Sequence, residues 1–412
     1  MTTTPKTMSI NSFALGMNNR APDHKLRTDK GYFLRDAADV DITREGGLKR
    51  RRGVTLQLAG QSARSLWADD SAAFYVDGTT LYRLSDALER AAVTGVAPGR
   101  QVSFCDAPEG GTYWSDGVRL ERIVGSASVG LNPATPNPVP AVAGLAGGLL
   151  PEGTYTVLFT AIDAVGRESA PTPGIQVAVP PGGRVQVTVT SAPSTPVAVY
   201  ISAPNGDTPY YAFTVPAVGT TDYASLEAGR ACPTYGLLPL PPGDIVRHFN
   251  GRLMVAAGSY LFLSEPFAPG LYRAESGFIP FPSAITVLEA VQGQRPGVYV
   301  AADQTYWLAG DITKADLVNV LPYGGVAGSS LPRPDKTAVH WMSPRGLVEA
   351  STGGEVKNLQ EEVVAITPAT GGATLIREAN GARHALTSMY GPTTNRAAVA
   401  SSYMDAEIIN GA

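Results

Sequence analysis

Apolar and polar residues alternate over short runs along nearly the whole chain, and the runs come in pairs. FYVDGTTLYRL (residues 74–84) alternates on both sides of an Asp-Gly pair. A period of two turns one face of each run inward, so the pattern predicts a hairpin of two half-buried strands. YWSDGVRLERI (113–123) repeats it. Asp77-Gly78 and Asp116-Gly117 read as structural turns, because a two-residue type I′ hairpin needs the positive φ that Gly supplies. On this reading Asp→Asn at either turn is nearly silent, whereas Gly→Val is strained. Looser copies follow at 252–265 (turn near Gly258), 297–311 (near Asp303), 346–360 (at Gly353-Gly354) and 382–403 (near Gly391-Pro392).

The spacing of the turns implies a fold. Asp77 and Asp116 are 39 residues apart; the later intervals are 45, 50 and 39. Repeats of roughly 40–50 residues are the period of four-stranded propeller blades, which are stable only when stacked on one another. The pattern predicts an all-β protein, a β-propeller of about six blades. One interval breaks the period: Asp116 to Gly258 spans 142 residues. One blade of about 45 leaves about 97, the size of an immunoglobulin-like sandwich. The sequence there holds short Val-, Thr- and Tyr-rich runs between the Pro/Gly-rich stretches 132–153 and 236–244, which read as linkers. The predicted organisation is an N-terminal arm and closing strand (1–58), a first part of the propeller (59–131), an inserted β-sandwich (150–236) and a second part of the propeller (244–412). Short helices are expected only at 85–92 and 354–366.

Composition agrees: 412 residues with 45 Gly and 33 Pro favour many turns, and 44% hydrophobic content supports large cores. A net charge of −4 gives no overall reason to expect nucleic-acid binding. Neither a secretory leader nor a bilayer-spanning run is recognised, so no membrane insertion is expected. Cys105 and Cys232 form no disulfide framework and no zinc spacing, and read as free buried thiols.

The search for chemistry returns little. His24, His248, His340 and His384 sit in no metal-ligating context, and no nucleophile elbow or phosphate loop occurs. Asp39 and Asp41 alternate but lack the rest of a calcium loop. No catalytic, cofactor-binding or metal residue is therefore assigned, and no enzymatic turnover or cofactor is expected. The one dense charge run is Lys49, Arg50, Arg51 and Arg52. It reads either as a protected edge strand or as a subunit contact, and is taken as the candidate subunit interface.

GMNNRAPDHKLRTDKGYFLRDAADVDITREGGLKRRRGV (16–54) resembles the opening of tail nozzle or tail accessory proteins of short-tailed bacteriophages. GTYTVLFTAIDAVGRESAP (153–171) resembles part of a fibronectin type III-like domain. The resemblance implies a structural tail protein of the virion, made in the host cytoplasm. It would form a homo-oligomeric ring, a hexamer, that extends the DNA-ejection channel. The implied partners are an adaptor or portal-proximal protein and a tail fibre or spike, with viral DNA in transient passage. Two other readings remain: a carbohydrate-binding or glycoside-cleaving propeller acting in host receptor recognition, and a monomeric receptor-binding protein at a tail tip.

Overall fold

The computed structural model describes residues 12–37, 40–43, 45–50, 55–190, 195–215, 218–226, 229–366, 368–379, 382–391 and 406–410. By internal contacts the chain divides into two compact units: residues 62–280, and the described parts of 1–61 with 281–412. Its regular structure is β throughout, apart from two 3-10 turns among the described residues.

Residues 62–280 open with two four-stranded sheets, each an antiparallel meander in chain order. The first comprises Ala63–Ala68, Ala73–Asp77, Thr80–Leu84 and Arg90–Gly95; the second, Ser103–Asp106, Thr112–Ser115, Leu120–Val124 and Ala127–Gly130. Each sheet carries an apolar face that it cannot cover alone, and the two cover each other. Phe74, Val76 and Leu81 of the first pack with Phe104, Trp114 and Ile123 of the second. The rings of Trp67, Phe74 and Phe104 lie nearly parallel, with centroids 5.7–6.0 Å apart. The second sheet in turn packs Cys105 and Tyr113 against Val246, Leu253 and Val255 of a third. That third sheet runs Ile245–Phe249, Arg252–Ala257 and Tyr260–Glu265, and the last of these pairs with both Ala268–Arg273 and Phe278–Pro280.

Between the second and third sheets in chain order lie two sheets around one core. One holds Ala141–Leu150, Gly183–Val189 and Gly219–Tyr223; the other is ordered Ile175–Val179, Gly153–Ala161, Val197–Ser202, Pro209–Val215. Val185, Val187 and Val189 of the first meet Tyr155, Val157, Phe159, Val199 and Ile201 of the second. In Gly183–Val189 burial alternates residue by residue, as a strand with one wet face requires. Val197–Ser202 is buried on both faces, because Cys232 and its neighbours cover Ala198 and Tyr200 from outside. The strand order differs from an immunoglobulin constant domain, where the first strand lies beside the second. Here the first strand pairs with the fourth, and the fourth with the seventh.

Both segments read as linkers contain strands. Ala141–Leu150 pairs with Gly183–Val189 across a bulge near Gly147-Gly148. Glycine is required at 144 because a Cβ there would overlap the Ala178 carbonyl oxygen. Leu237–Pro239 pairs with Ala268–Arg273 and so belongs to the third sheet. Of the expected helices, 85–92 is a tight turn, with Ser85 Oγ accepting the Glu89 N–H at 3.1 Å, followed by the strand Arg90–Gly95. The other, 354–366, contains the strand Val356–Asn358 followed by turns.

The second unit repeats the meander. Val287–Val291, Gly297–Ala301, Thr305–Ala309 and Val318–Leu321 form one sheet; Leu331–Pro332, Ala338–Ser343, Gly346–Ser351 and Val356–Asn358 form the next. Tyr299 and Trp307 pack against Trp341 and Val348 between them. A last sheet holds Gly371–Ala379, Ala382–Tyr390 and Ala406–Asn410, and its Met389 joins Val326, Met342 and Leu347. Gly353-Gly354 joins the third and fourth strands of its sheet. The equivalent of the Gly78 and Gly258 hairpins is therefore the Pro344-Arg345 turn, since Ser343 pairs with Gly346. The N-terminal segment forms two small ladders, Arg27–Thr28 with Gly31–Tyr32 and Val40–Ile42 with Leu48–Arg50. Among the described residues neither ladder joins a larger sheet; residues 51–54 lie outside that set. Asn19 and Arg20 fasten the segment to the backbone of 363–365.

The central residue of the two-sheet core is Phe159, fully buried among aliphatic side chains. Phe159→Ala is expected to destabilise that part of the chain by about 3–5 kcal/mol through lost burial and an unfilled cavity. A lowered denaturant midpoint checks this.

Candidate functional site

Where the first two sheets meet, the turns joining their second and third strands border a shallow cleft of about 400 Å³. Thr79, Val96, Ala97, Asp116, Val118 and Arg119 line it. The Asp116 turn is longer than a two-residue hairpin, since Ser115 pairs with Leu120 and leaves four residues between. Asp116 is 1% exposed. Its Oδ1 accepts the N–H groups of Val118 and Arg119 at 3.0 and 2.8 Å, and its Oδ2 accepts the Ala97 N–H at 2.8 Å. Burial alone would raise its pKa; the three N–H donors and the Arg119 guanidinium at 3.8 Å outweigh that and hold it below the ordinary aspartate value. A carboxylate so saturated cannot serve as a proton acceptor near neutrality. It is a clamp that ties the second sheet's turn to the segment leaving the first.

Arg119 completes the clamp. Its guanidinium lies 4.9 Å from the centroid of the Trp114 ring and donates to the Gly95 carbonyl. Gly117 has φ +80, a conformation that glycine adopts without strain. The Gly78 turn is shifted by one residue from the expected Asp-Gly position. Asp77 pairs with Thr80, so Gly78-Thr79 is the two-residue loop. Gly78 has φ +61 and Thr79 has no positive φ, which fits type II′, with Gly first, and not type I′. Asp77 acts as a brace: Oδ1 accepts the Ser62 N–H at 2.8 Å, and Oδ2 lies 3.5 Å from Arg90.

The remaining predicted site residues do not gather here. Lys49 and Arg50 lie on the fully exposed strand Leu48–Arg50, while Arg51 and Arg52 fall outside the described residues. Cys105 and Cys232 are buried and form no disulfide. Among the described residues, no group of three or more His, Cys, Asp or Glu is placed to hold a metal ion.

Sequence reasoning missed two buried polar clusters. In the two-sheet region Glu168 accepts from Thr160 Oγ1 at 2.8 Å, from Tyr200 Oη at 2.7 Å and from Arg230. Burial, then the Glu168 carboxylate, raises the Tyr200 pKa well above the ordinary tyrosine value. The cluster fastens the segment carrying Arg230 and Cys232 over the sheet. In the other unit His340 Nε2 lies 2.9 Å from Glu349 Oε2 across a strand pair, and Glu289 accepts from Ser330 Oγ at 2.7 Å. Glu168 to Arg230 and Glu289 to Ser330 span 62 and 41 residues, so no local motif announces those pairs.

No family model and no curated protein matches the sequence. Among solved structures, the chain is similar to a streptogramin B lyase at 9% identity, over 80% of this chain and 92% of that one, with a TM-score of 0.34. It is similar to apo AztD from Citrobacter koseri at 13% identity, over 84% and 85%, with a TM-score of 0.34. It is also similar to Hsv2 from Kluyveromyces lactis at 8% identity, over 83% and 95%, with a TM-score of 0.29. These are distant likenesses to β-propeller proteins and identify no family.

The geometry reverses the expectation of a silent Asp116→Asn. Asn keeps one acceptor for Val118 and Arg119 but turns an NH₂ toward the Ala97 N–H, leaving buried donors unpaired. A loss of about 1–3 kcal/mol is expected. Because the folded-state pKa is depressed, the contribution of Asp116 is full above the ordinary aspartate value and is lost as pH falls through the folded one. Thermal midpoints of the two proteins should therefore differ at pH 7 and converge toward pH 2.

Proposed function

We propose that the chain is a structural subunit of a phage tail nozzle, built as a six-bladed propeller with a fibronectin type III-like module, that assembles into a closed ring and turns over no substrate. The observation that carries the reading is the sequence of residues 16–54, which joins the family resemblance to a strong charge asymmetry. The first 54 residues hold 11 Lys and Arg against 6 Asp and Glu, whereas the rest of the chain holds 21 against 30. A basic segment and an acidic remainder in one chain favour contact between copies. The exposed strand Leu48–Arg50 offers that charge at a surface.

Three further features support this reading. The meander sheets are the units of which propellers are made. The charged groups lining the cleft are spent on holding backbone. In the inserted sheets Tyr155 Oη donates to the Pro151 carbonyl four residues upstream at 2.9 Å, resembling the tyrosine corner of fibronectin-like sandwiches.

A second reading, carbohydrate binding, has one observation in its favour. Tyr260, Phe262, Tyr272 and Phe278 form a contiguous aromatic group on the third sheet, with Tyr260 and Phe278 exposed.

Native mass measurement on the full-length protein separates the two. A ring predicts one discrete species at six times the chain mass. Lys49→Glu with Arg50→Glu should weaken its assembly about tenfold or more, most at low salt. A wild-type protein that stays monomeric at all concentrations overturns the ring. Hydrolysis or saturable binding of host glycans by that monomer favours the second reading.

A further inference from the structure

The connection between Glu265 and Ala268 is a two-residue turn, Pro266-Phe267. Pro fixes the first position at negative φ, and the second has φ +58. A turn of that shape calls for Gly or Asn at its second position. This chain places phenylalanine there, at a cost in backbone energy, and leaves the side chain 91% exposed. The turn itself is anchored to its neighbour. The Phe267 N–H donates to the Gly251 carbonyl at 2.9 Å, and the ring lies over Gly251 in the neighbouring Asn250-Gly251 turn, where both residues have positive φ. A large apolar group, unburied and carried on an anchored backbone, has the character of an interface anchor.

The same unit contains a shallow recess. The cleft at the first two sheets holds about 400 Å³, has methyl groups from Val96, Ala97 and Val118 on its walls, and has Val118 59% exposed. The Arg119 guanidinium already stacks on Trp114 and offers its outer side to a second ring. Asp116 makes no unpaired demand on an apolar guest, because three backbone N–H groups satisfy it.

Knob and recess lie at opposite ends of the stacked sheets. The cleft is at the end where second strands turn into third. Ser103, paired with Ser115 beside that turn, contacts Val246, which pairs with Val255 near the Gly258 turn, so the three sheets are aligned. Phe267 is at the other end, with the Asn250-Gly251 turn. One copy therefore cannot fill its own cleft.

We propose that Phe267 of one copy inserts into the cleft lined by Val96, Val118 and Arg119 of the next. The contact is heterologous, and such contacts build rings when the rotation per subunit closes. The inference deepens the assembly reading above and rests on it.

Sedimentation of the full-length protein tests it with three variants. Phe267→Ala and Val118→Arg should each weaken self-association about tenfold or more. An equimolar mixture of the two should give dimers and nothing larger, since the mixture holds one intact knob and one intact cleft per pair. Phe267→Gly should weaken association equally while raising the thermal midpoint of the dilute monomer by about 2 °C, because glycine relieves the positive φ. Wild-type association in both single variants overturns the knob-and-cleft contact and leaves the ring standing. A loss with Val118→Arg alone assigns the cleft to a different occupant and overturns Phe267 as the guest. A monomeric wild type overturns both readings.

Discussion

Each of the larger sheets among the described residues carries an apolar face that it cannot cover alone, and the structure follows from that constraint. A three- or four-stranded meander has two faces, and an apolar face left in water costs about 25 cal/mol for each Å². Within residues 62–280 the solution is stacking. Phe74 and Leu81 cover Phe104 and Trp114, and on the far side of the same second sheet Tyr113 and Cys105 cover Val246 and Leu253. Within the second unit, Tyr299 and Trp307 meet Trp341, and Met342 meets Met389. In the two-sheet region Val185 and Val187 face Phe159 and Val199. The interleaved aromatics set the spacing, and the backbone turns carry little of the energy.

That division of labour explains where the charges go. Stacked sheets need their loops held in register at the ends, and loops expose backbone N–H and C=O groups that must be paired. Asp116 pairs three such donors from two adjoining segments, and Arg64 donates to the carbonyls of Gly78, Ala97 and Arg100. Ser115 Oγ both donates to the Gly243 carbonyl and accepts the Gly243 N–H, fastening the second sheet to the segment that leads into Ile245–Phe249 of the third. Ionisable side chains in this region thus act as fasteners.

Much of this was legible in the sequence, and the failures share a cause. Period-two alternation located the hairpins at 74–84, 113–123 and 252–265, because burial of one face leaves a direct mark on the residue pattern. The Gly353-Gly354 hairpin was real but was aligned to the wrong turn, since a Gly pair announces positive φ without saying which strands it joins. The glycines of Ala141–Leu150, needed for close approach to Ala178 and Gly183, look in sequence like the punctuation of a linker. Asp116 read as an ordinary turn acid because its third partner, Ala97, is nineteen residues away. The Glu168 cluster joins residues up to 62 apart and leaves no local pattern at all. What a strand does to its own neighbours is visible in sequence; what a buried polar group does across the fold is not.

The two ends of the stacked sheets in residues 62–280 are built to different specifications. At the end bearing the Asp116 turn, the Asp116 carboxylate is saturated, glycine sits at 117 where φ is +80, and the surface recedes into a cleft. At the other end a phenylalanine occupies a backbone conformation that glycine would adopt without strain, and its side chain protrudes. Stability alone explains the first end, because each feature there lowers the folded energy. It does not explain the second, where replacing Phe267 by glycine would relieve strain and remove exposed apolar surface together. A backbone strained to hold an exposed ring suits the contact between copies proposed above, with the recess at the opposite end of the same sheets as the proposed seat.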